Sequence, residues 1–264
     1  MIIANKYIEP MKSGNSKPHL FYGQDGNKYV LKFMSNPQGL RVLANEMISY
    51  RLAKLLDLPV PTGEIIYISQ KFILQTPNLK ALNVKKGPHF GSLYIENTEN
   101  VTSNSDISQA VNLCKGADMI LFDYWLNNND RHLFCEVDHN VLISNHSNPQ
   151  FWMIDQANIL HGPSWSVKSL LTHKHSISIY WGGMYEKFVP FIDNSNPFIH
   201  ALEKIESLEV WQIAQAISDL PDEWSVSTSE RVALIDYLNV RKSLLRNAIK
   251  PLKAYFPVWQ NQSK

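Results

Sequence analysis

Lys32 and Glu46 are two residues whose types and spacing suit phosphate binding. Lys32 lies inside an apolar run, residues 29–33, that has the composition of a β-strand. Such a lysine often points into solvent, but on a rigid strand it can bind nucleotide phosphates when a carboxylate on a neighbouring helix positions it. Glu46 lies fourteen residues later, in a stretch with helical spacing of its apolar residues. A strand lysine followed by a helical glutamate favours phosphate binding over two unrelated surface charges.

Asp130 and Asp155 are the aspartates best placed for acid–base or metal chemistry. Asp130 comes directly after a predicted helix and three asparagines, and either Arg131 or His132 could orient it or neighbouring phosphates. A carboxylate on a loop fixed by a helix can accept the proton of a substrate hydroxyl. Asp155 ends an apolar strand, and Mg²⁺ typically takes one or two such carboxylates together with substrate phosphates. An ordinary loop and a strand-terminal turn are the alternative interpretations of these positions.

A short polar segment, residues 12–17, separates the first two predicted strands, where a phosphate-covering loop would lie. It holds one glycine and matches neither a Walker A sequence nor a G-x-G-x-x-G motif. Its backbone amides and hydroxyls could still form a concave phosphate site, and a plain hairpin turn is an equal alternative. The candidate phosphate-binding residues of this segment are Ser13, Gly14, Asn15, Ser16 and Lys17.

Other chemistries lack their usual signatures in this sequence. The nine histidines form no H-E-x-x-H or similar zinc motif, and no G-x-S-x-G nucleophile elbow is present. The two cysteines, Cys114 and Cys135, are too few for a disulfide framework or a four-thiolate zinc site. Phosphoryl transfer is consistent with the residue types, because it needs cations on the phosphates and a group that orients the nucleophile.

The amino-acid composition limits the classes of protein to which this chain can belong. The chain has 264 residues, 44% of them apolar and 11% aromatic, which predicts a sizeable core in one large domain or one two-lobed unit. Lys and Arg number 25 against 24 Asp and Glu, and this balance argues against a dedicated nucleic-acid binder. No apolar run reaches the roughly 18 residues of a membrane span, and the N-terminus lacks the apolar region of a secretory signal. We therefore expect a cytoplasmic protein that contacts neither nucleic acid nor membrane directly.

The first hundred residues are predicted to form mostly strands, with one helix. The elements predicted there are a hairpin over residues 18–24 and 28–34 around an Asp-Gly turn, a helix over 40–57 ended by the prolines of 58–61, and strands over 63–72. Residues 73–104 are polar and irregular, with several Pro, Gly and Asn. They predict a linker, which divides an N-terminal lobe of about residues 1–90 from a C-terminal lobe of about 91–264 within one domain.

The second part of the chain reads as mainly helical. Its predicted elements are a helix from an N-cap at Ser105 to about Leu126, a hairpin over residues 140–144 and 151–155, and helices over 197–206, 208–219 and 229–256. A small β-rich lobe followed by a larger, mainly helical lobe is an α+β arrangement.

Taken in order, five stretches resemble the HipA-like family of protein-kinase-like enzymes, in particular its compact stand-alone members. Each stretch is moderately specific alone, and the five together span residues 3 to about 245. The resemblance implies a bilobal protein-kinase-like fold that binds ATP and Mg²⁺ in its cleft. The stretches are Tyr29-Val30-Leu31-Lys32-Phe33, Asn45-Glu46 through Leu58-Pro59-Val60-Pro61, Asn127-Asn128-Asn129-Asp130-Arg131-His132, Trp152-Met153-Ile154-Asp155 and Leu220-Pro221-Asp222-Glu223-Trp224.

The resemblance implies a role for each candidate residue. Lys32 would contact the α- and β-phosphates with Glu46 as its ion-pair partner, and the loop of residues 13–17 would lie over the phosphates. Asp130 would be the catalytic base and Asp155 a metal ligand. Better-studied members phosphorylate Ser/Thr hydroxyls, several as toxins paired with a DNA-binding antitoxin. The acceptor here is therefore expected to be a protein, with a small-molecule kinase as an alternative and an antitoxin-like or regulatory protein as a partner.

One position departs from the family pattern. The family usually has Asn five residues after the catalytic Asp as a second metal ligand, and Cys135 stands there. A thiol is a poor ligand for a hard cation. Aligning on the following strand instead implies a short insertion and brings Asp138 or Asn140 near the ligand position. If Cys135 occupies the site, the chain is a nucleotide-binding pseudokinase or interaction module with little transfer activity.

Overall fold

The computed structural model describes residues 1–12, 14–131, 140–192 and 196–255. Its first part is a closed five-stranded β-barrel with strand order β1-β2-β3-β5-β4, in which only the β1–β4 pair is parallel. The elements of this part are β1 (Ile2–Pro10), β2 (His19–Gly23), β3 (Lys28–Lys32), α1 (Arg41–Leu55), β4 (Gly63–Ile68), α2 (Gln70–Gln75), α3 (Pro77–Ala81) and β5 (Gly87–Leu93).

The predicted β2–β3 hairpin and the predicted helix α1 are confirmed. Gly26 takes a φ of +82° in the hairpin turn, a conformation that glycine adopts without steric strain. Helix α1 carries Glu46 and ends at Leu55, before the two prolines. It is buried over most of its surface because it packs between the barrel and the helical part of the chain. This placement lets one helix contact both halves of the fold.

The expectation that residues 73–104 form an irregular linker is wrong. These residues hold the end of α2, all of α3, strand β5 and the short strand β6 (Thr98–Asn100). Strand β5 lies between β3 and β4. It begins with Gly-Pro and contains an internal glycine, a composition typical of loops, so the sequence does not predict a strand there. Gly91 is required there, since an added Cβ would lie 2.5 Å from Cγ1 of Ile66. A close backbone approach of this kind leaves no pattern in the sequence.

The second part is mainly helical around a three-stranded antiparallel sheet of order β6-β7-β8. Its hydrophobic core includes α4, α7, α8, α9 and most of the inner face of α1. The predicted hairpin is confirmed as β7–β8. Beyond β6, the elements are α4 (Gly116–Leu126), β7 (Val141–Ser144), β8 (Phe151–Met153), α5 (Val167–His173), α6 (Met184–Phe188), α7 (Ile199–Ser207), α8 (Val210–Ser218) and α9 (Thr228–Ala248).

Two helix boundaries differ from the predictions. Helix α4 begins at Gly116 rather than after Ser105, and Ser105 Oγ accepts a hydrogen bond from the amide of Thr102. An added Cβ at Gly116 would lie 2.5 Å from Cδ1 of Phe188, so α4 approaches α6 closely at its first residue. Helix α9 ends at Ala248 because Pro251 disfavours helical backbone at the residue before it, and 3₁₀ turns follow.

Within the described ranges, no helix combines the length and the apolar character that crossing a membrane requires.

Candidate active site

Lys32 is the centre of a buried ion cluster that joins three separate elements. It ends β3, and its Nζ donates to Oε1 of Glu46 on α1 at 2.5 Å and to Oδ1 of Asp155, just after β8, at 2.7 Å. The side chains of Lys32 and Glu46 are 8% and 6% exposed, and that of Asp155 is 23% exposed. The structure therefore brings together three residues that the sequence separates by up to 123 positions.

The two carboxylates around Lys32 have shifted pKa values. Burial lowers the pKa of Lys32, but the neighbouring Asp155 and Glu46 carboxylates outweigh this effect and raise it above its ordinary value. Burial raises the pKa of Asp155, and the Lys32 ammonium more than compensates, so the net shift is downward. Burial also raises the pKa of Glu46, with a further contribution from the Asp155 charge. One cation is thus shared by two acids: its charge lowers the pKa of both, and the effect of burial outweighs it only at Glu46.

Asp155 takes an unusual backbone conformation at the end of its strand. Its φ of +51° lies in the left-handed region, which turns the chain away from the β6–β8 sheet. Its Oδ1 also accepts from the amide of Ala157 at 3.4 Å, while the amide of Gln156 donates to Oε1 of Glu46 at 3.1 Å. The segment after β8 is therefore bonded to α1 through both main chain and side chain.

Asp130 is oriented by asparagine side chains. It lies four residues beyond Leu126, the last residue of α4, and Asn127 caps that helix in a left-handed conformation. Its Oδ2 accepts from Nδ2 of Asn140 at 2.7 Å and from Nδ2 of Asn158 at 2.9 Å. Its backbone amide lies 3.3 Å from Oδ1 of Asn128. These contacts fix the carboxylate without placing a cation on it.

A fully buried ion pair supports the Asp130 loop from below. Arg131 NH1 donates to Oδ1 of Asp123 on α4 at 2.5 Å, and both side chains are 0% exposed. Asp123 also accepts from the Tyr185 hydroxyl at 3.0 Å and from Nδ2 of Asn128 at 3.1 Å. Burial raises the pKa of Asp123 against the opposing effect of Arg131. The loop is thereby anchored to α4 and α6.

The Asp130 loop and the Asp155 segment are also bonded to each other. Nδ2 of Asn128 lies 3.2 Å from Oε1 of Gln156, and Arg131 NH2 donates to the carbonyl of Ile154 at 3.0 Å. The two aspartates therefore belong to one hydrogen-bonded unit, although each follows a different element.

A cavity of about 500 Å³ opens in front of this unit, between the barrel and the β6–β8 sheet. Lys32, Glu46, Asp155 and Asn140 line one end of it. The walls that continue from there are largely apolar. They include Leu20, Val30, Val60, Phe90, Leu93, Leu142 and Met153. An apolar slot that ends in a cation and carboxylates suits a flat ring system attached to phosphates.

The loop of residues 12–17 covers part of this cavity. Lys12 and Gly14 line the cavity, and Gly14 has a φ of +108° in the turn that its carbonyl closes with the amide of Lys17. Asn15 and Lys17 line a second groove of about 780 Å³, which Lys12 and Gly14 also border. The side chain of Ser16 is buried. Ser13 lies outside the described residues.

The residues at the cavity end fit a divalent cation held jointly with phosphates. Mg²⁺ prefers hard oxygen ligands, and Asp155 and Asn140 both line the cavity there and carry oxygen atoms in their side chains. Among the described residues, no group of three His, Cys, Asp or Glu side chains could hold a metal unaided. Asp138 and Cys135, the other positions weighed for the second ligand, lie outside the described residues.

Several site residues escaped the sequence reading. Asn158, Asn128 and Gln156 hold the two aspartates in place, and Asp123 pairs with Arg131. Asn158 stands three residues after Asp155, and this short separation in the sequence was a signal that it could lie in the same site. The Asp123–Arg131 pair left a weaker signal, since Asp123 lies within a helix that is apolar apart from it and Asp118.

Two solved kinase structures share this fold. The proinflammatory kinase CtkA of Helicobacter pylori superposes with a TM-score of 0.62 at 15% identity, over 93% of this chain and 96% of that one. The Golgi casein kinase with Mn/ADP bound superposes with a TM-score of 0.51 at 10% identity, over 95% and 74% of the two chains. The search of curated proteins gave no match. The fold is therefore protein-kinase-like, with a β-rich N-terminal part and a helical C-terminal part, as the sequence predicts.

The sequence comparison identifies the family of the chain, whereas the fold comparison identifies only the kinase-like fold. The profile of the HipA-like kinase family matches residues 4–251. The chain belongs to this family, which confirms the resemblance and places the protein among the phosphotransferases.

Proposed function

We propose that this protein is an ATP- and Mg²⁺-dependent kinase that phosphorylates Ser/Thr hydroxyls of a protein. The observation that carries the proposal is the bonding of Lys32 to both Glu46 and Asp155 at one end of the cavity. Asp130 is tied to the same end through Asn140. A phosphate-binding cation, a metal ligand and a proton acceptor are the groups that phosphoryl transfer requires.

The nucleotide is proposed to bind with its base in the apolar part of the cavity and its phosphates toward Lys32. Glu46 keeps the ammonium on the cavity wall, and Lys12 and Gly14 cover the phosphates from the loop above. Mg²⁺, when bound, would neutralise phosphate charge and would be held by Asp155, with Asn140 as the second protein ligand. Support comes from the Golgi casein kinase of the same fold, which was crystallised with Mn/ADP.

Asp130 is proposed to accept the proton of the acceptor hydroxyl. The hydroxyl oxygen attacks the γ-phosphorus while the bond from that phosphorus to the bridging oxygen breaks, so ADP leaves and the proton moves to Asp130. The amides of Asn140 and Asn158 bind Oδ2 and leave the orientation of the carboxylate fixed. Positioning and electrostatic stabilisation of this kind supply most of the catalysis in phosphoryl transfer.

The alternative of a pseudokinase depends on Cys135, which lies outside the described residues. The contact between Asn140 and Asp130 favours the alignment in which Asn140, not Cys135, supplies the second ligand. Active transfer is therefore the better-supported function. A small-molecule acceptor and an antitoxin-like or regulatory partner stay predictions.

A thermal-shift titration with ATP tests the proposal. A ligand that binds only the folded state stabilises it by RT ln(1 + [L]/Kd), about 2.7 kcal/mol at a hundredfold excess over Kd. We expect a large shift with Mg²⁺, a smaller one with the metal chelated, and loss of the Mg²⁺-dependent part in Asp155→Asn. Asp57→Asn, at a side chain that is 87% exposed and does not line the cavity, is the control. No shift at several millimolar ATP would refute nucleotide binding.

A further inference from the structure

Asn45 occupies a position that the proposed chemistry does not use, yet its buried side chain makes three hydrogen bonds beside the site. It precedes Glu46 on α1 and is 0% exposed. Its Nδ2 donates to the carbonyl of Ala157 at 2.7 Å and lies 3.4 Å from that of Ile159. Its Oδ1 accepts from Nε1 of Trp165 at 2.8 Å. An amide side chain has both donors and an acceptor, so no apolar or acidic residue of similar size reproduces these bonds.

The segment that Asn45 holds is strained. Asp155, Leu160 and His161 have φ angles of +51°, +61° and +68°, which are unfavourable for residues with a Cβ. Such conformations persist only where surrounding contacts enforce them. The two carbonyls that Asn45 contacts lie between these positions, and no backbone ladder of a helix or strand covers the segment from 154 to 166. The bonds to α1 therefore help to keep the segment in its observed shape.

Trp165 fixes the far side of Asn45. Its indole is 2% exposed, and the Arg41 guanidinium lies 4.1 Å from the centroid of its ring. Arg41 stands one helical turn before Asn45 on α1 and pairs with Glu230 at the start of α9. The amide of Asn45 is thus held by the segment after β8, and Trp165 in that segment is itself packed against Arg41, the partner of Glu230.

We propose that Asn45 is a positioning residue that sets the affinity of the site for the divalent cation. It joins α1, which carries Glu46, to the segment after β8 that carries Asp155, so it determines where the Asp155 carboxylate stands relative to Lys32. This inference rests on the proposed function, because it concerns the metal that Asp155 is proposed to bind. Asn45 itself touches neither nucleotide nor metal.

The test uses Asn45→Leu, which keeps the size of the side chain and removes all its polar contacts. Asn112→Leu is the matched control, because Asn112 also donates to a carbonyl and accepts from an amide, both of Phe151. Amide hydrogen exchange without nucleotide is measured first. In Asn45→Leu we expect exchange at least about tenfold faster at Gln156 and Ala157, as the loss of a buried hydrogen-bonding partner gives, and no such change in Asn112→Leu.

The second measurement is the affinity for ADP with Mg²⁺ and with the metal chelated. In Asn45→Leu we expect metal-free affinity within about twofold of wild type, and a loss of about tenfold in the enhancement by Mg²⁺. Unchanged enhancement, with a lowered melting temperature like that of Asn112→Leu, would show that Asn45 is only structural. If wild type itself shows no metal-dependent binding, the proposed function fails, and the exchange data alone decide whether Asn45 holds the segment.

A second pair of variants covers the case in which Asn45→Leu does not fold. Trp165→Phe removes the indole donor to Asn45 and keeps an aromatic ring beside Arg41, whereas Trp224→Phe removes a buried indole donor to the carbonyl of Pro88. We expect the enhancement by Mg²⁺ to fall in Trp165→Phe and to be kept in Trp224→Phe. Equal enhancement in the two variants would contradict the proposal.

Discussion

The Nζ atom of Lys32 lies 2.7 Å from Oδ1 of Asp155, which bonds the barrel to the segment after β8. Because Glu46 contacts the same ammonium, the cluster holds two carboxylates and one cation. A buried site with an uncompensated negative charge attracts a cation, and electrostatic focusing in a cleft strengthens the attraction. The cluster therefore links the two halves of the fold, and its excess of carboxylates favours a further cation.

Replacing Lys32 with methionine is expected to destabilise the fold strongly. The change leaves the carboxylates of Glu46 and Asp155 buried without a cation, and loss of one partner from a buried pair costs about 3–5 kcal/mol. Urea unfolding at pH 7 measures the difference. Adding Glu46→Gln to Lys32→Met should restore part of the lost stability, since it removes one of the two uncompensated charges.

Lys28→Met is the control for that experiment. Lys28 lies on the same strand and pairs with Glu96 at 2.8 Å, but the Glu96 side chain is 60% exposed. Water screens such a pair, so we expect the unfolding midpoint to stay close to that of wild type. Equal midpoints for Lys32→Met and Lys28→Met would show that the buried cluster does not stabilise the fold.

Asp130→Asn is expected to abolish phosphoryl transfer while nucleotide binding is kept. The amide cannot accept the hydroxyl proton, and general-base catalysis contributes about 10²–10⁴-fold to rate. The measurement pairs phosphate transfer to generic Ser/Thr substrates with the Mg²⁺–ATP thermal shift. Asp106→Asn, at an exposed aspartate, should change neither. Transfer near the wild-type rate in Asp130→Asn would remove Asp130 from the mechanism.

Much of the site follows from local sequence, and its assembly does not. The strand around Lys32, helix α1 and the hairpin that precedes Asp155 each have a clear pattern of apolar residues, so their existence is predictable. The contact of Asn158 with Asp130 joins residues 28 positions apart and depends on how the chain turns after β8. The positive φ of Asp155, which directs that turn, is imposed by tertiary contacts rather than by residue type.

In the fold, too, local sequence predicts some elements and tertiary contacts determine others. The helices from Ile199 onward are amphipathic and were predicted within a few residues, apart from the end of α9. Strand β5 was missed because its glycines allow close packing against Ile66 and weaken its strand pattern. The predicted start of α4 is too early, because the apolar residues before Gly116 lie in turns and still pack into the core, which imitates the pattern of a helix. Tertiary packing overrides the local pattern in both cases.

Arg131→Met is expected to unfold the Asp130 loop together with its support. Asp123 would be left as a buried carboxylate without its cation, at a cost of about 3–5 kcal/mol in the free energy of unfolding. Burial already raises the pKa of Asp123, and removal of Arg131 raises it further. The penalty is present above that pKa and shrinks as the pH falls through it, because the acid becomes neutral. Urea unfolding at pH 7 and pH 5 checks both statements, and a penalty that grows on acidification would contradict them.

His89 is expected to make the fold sensitive to acid above the range in which carboxylates titrate. It is 0% exposed, its Nδ1 accepts from the amide of Met34 at 3.0 Å, and its Nε2 lies 2.9 Å from the carbonyl of Lys85. Burial lowers its pKa from 6.5 to about 4, so the folded protein holds it neutral. Between these values the unfolded chain binds a proton that the folded chain does not, so stability falls as the pH drops.

The expected loss from His89 is about 3 kcal/mol between pH 7 and pH 4, at about 1.4 kcal/mol per pH unit. The pKa of His161 is also lowered to about 4, by burial first, so it contributes in the same direction. Urea unfolding over this range in wild type, His89→Gln and His146→Gln measures the effect. The slope against pH should fall by about one proton in His89→Gln and stay unchanged in the variant of the exposed His146. Parallel slopes in all three would mean that His89 is protonated equally in both states.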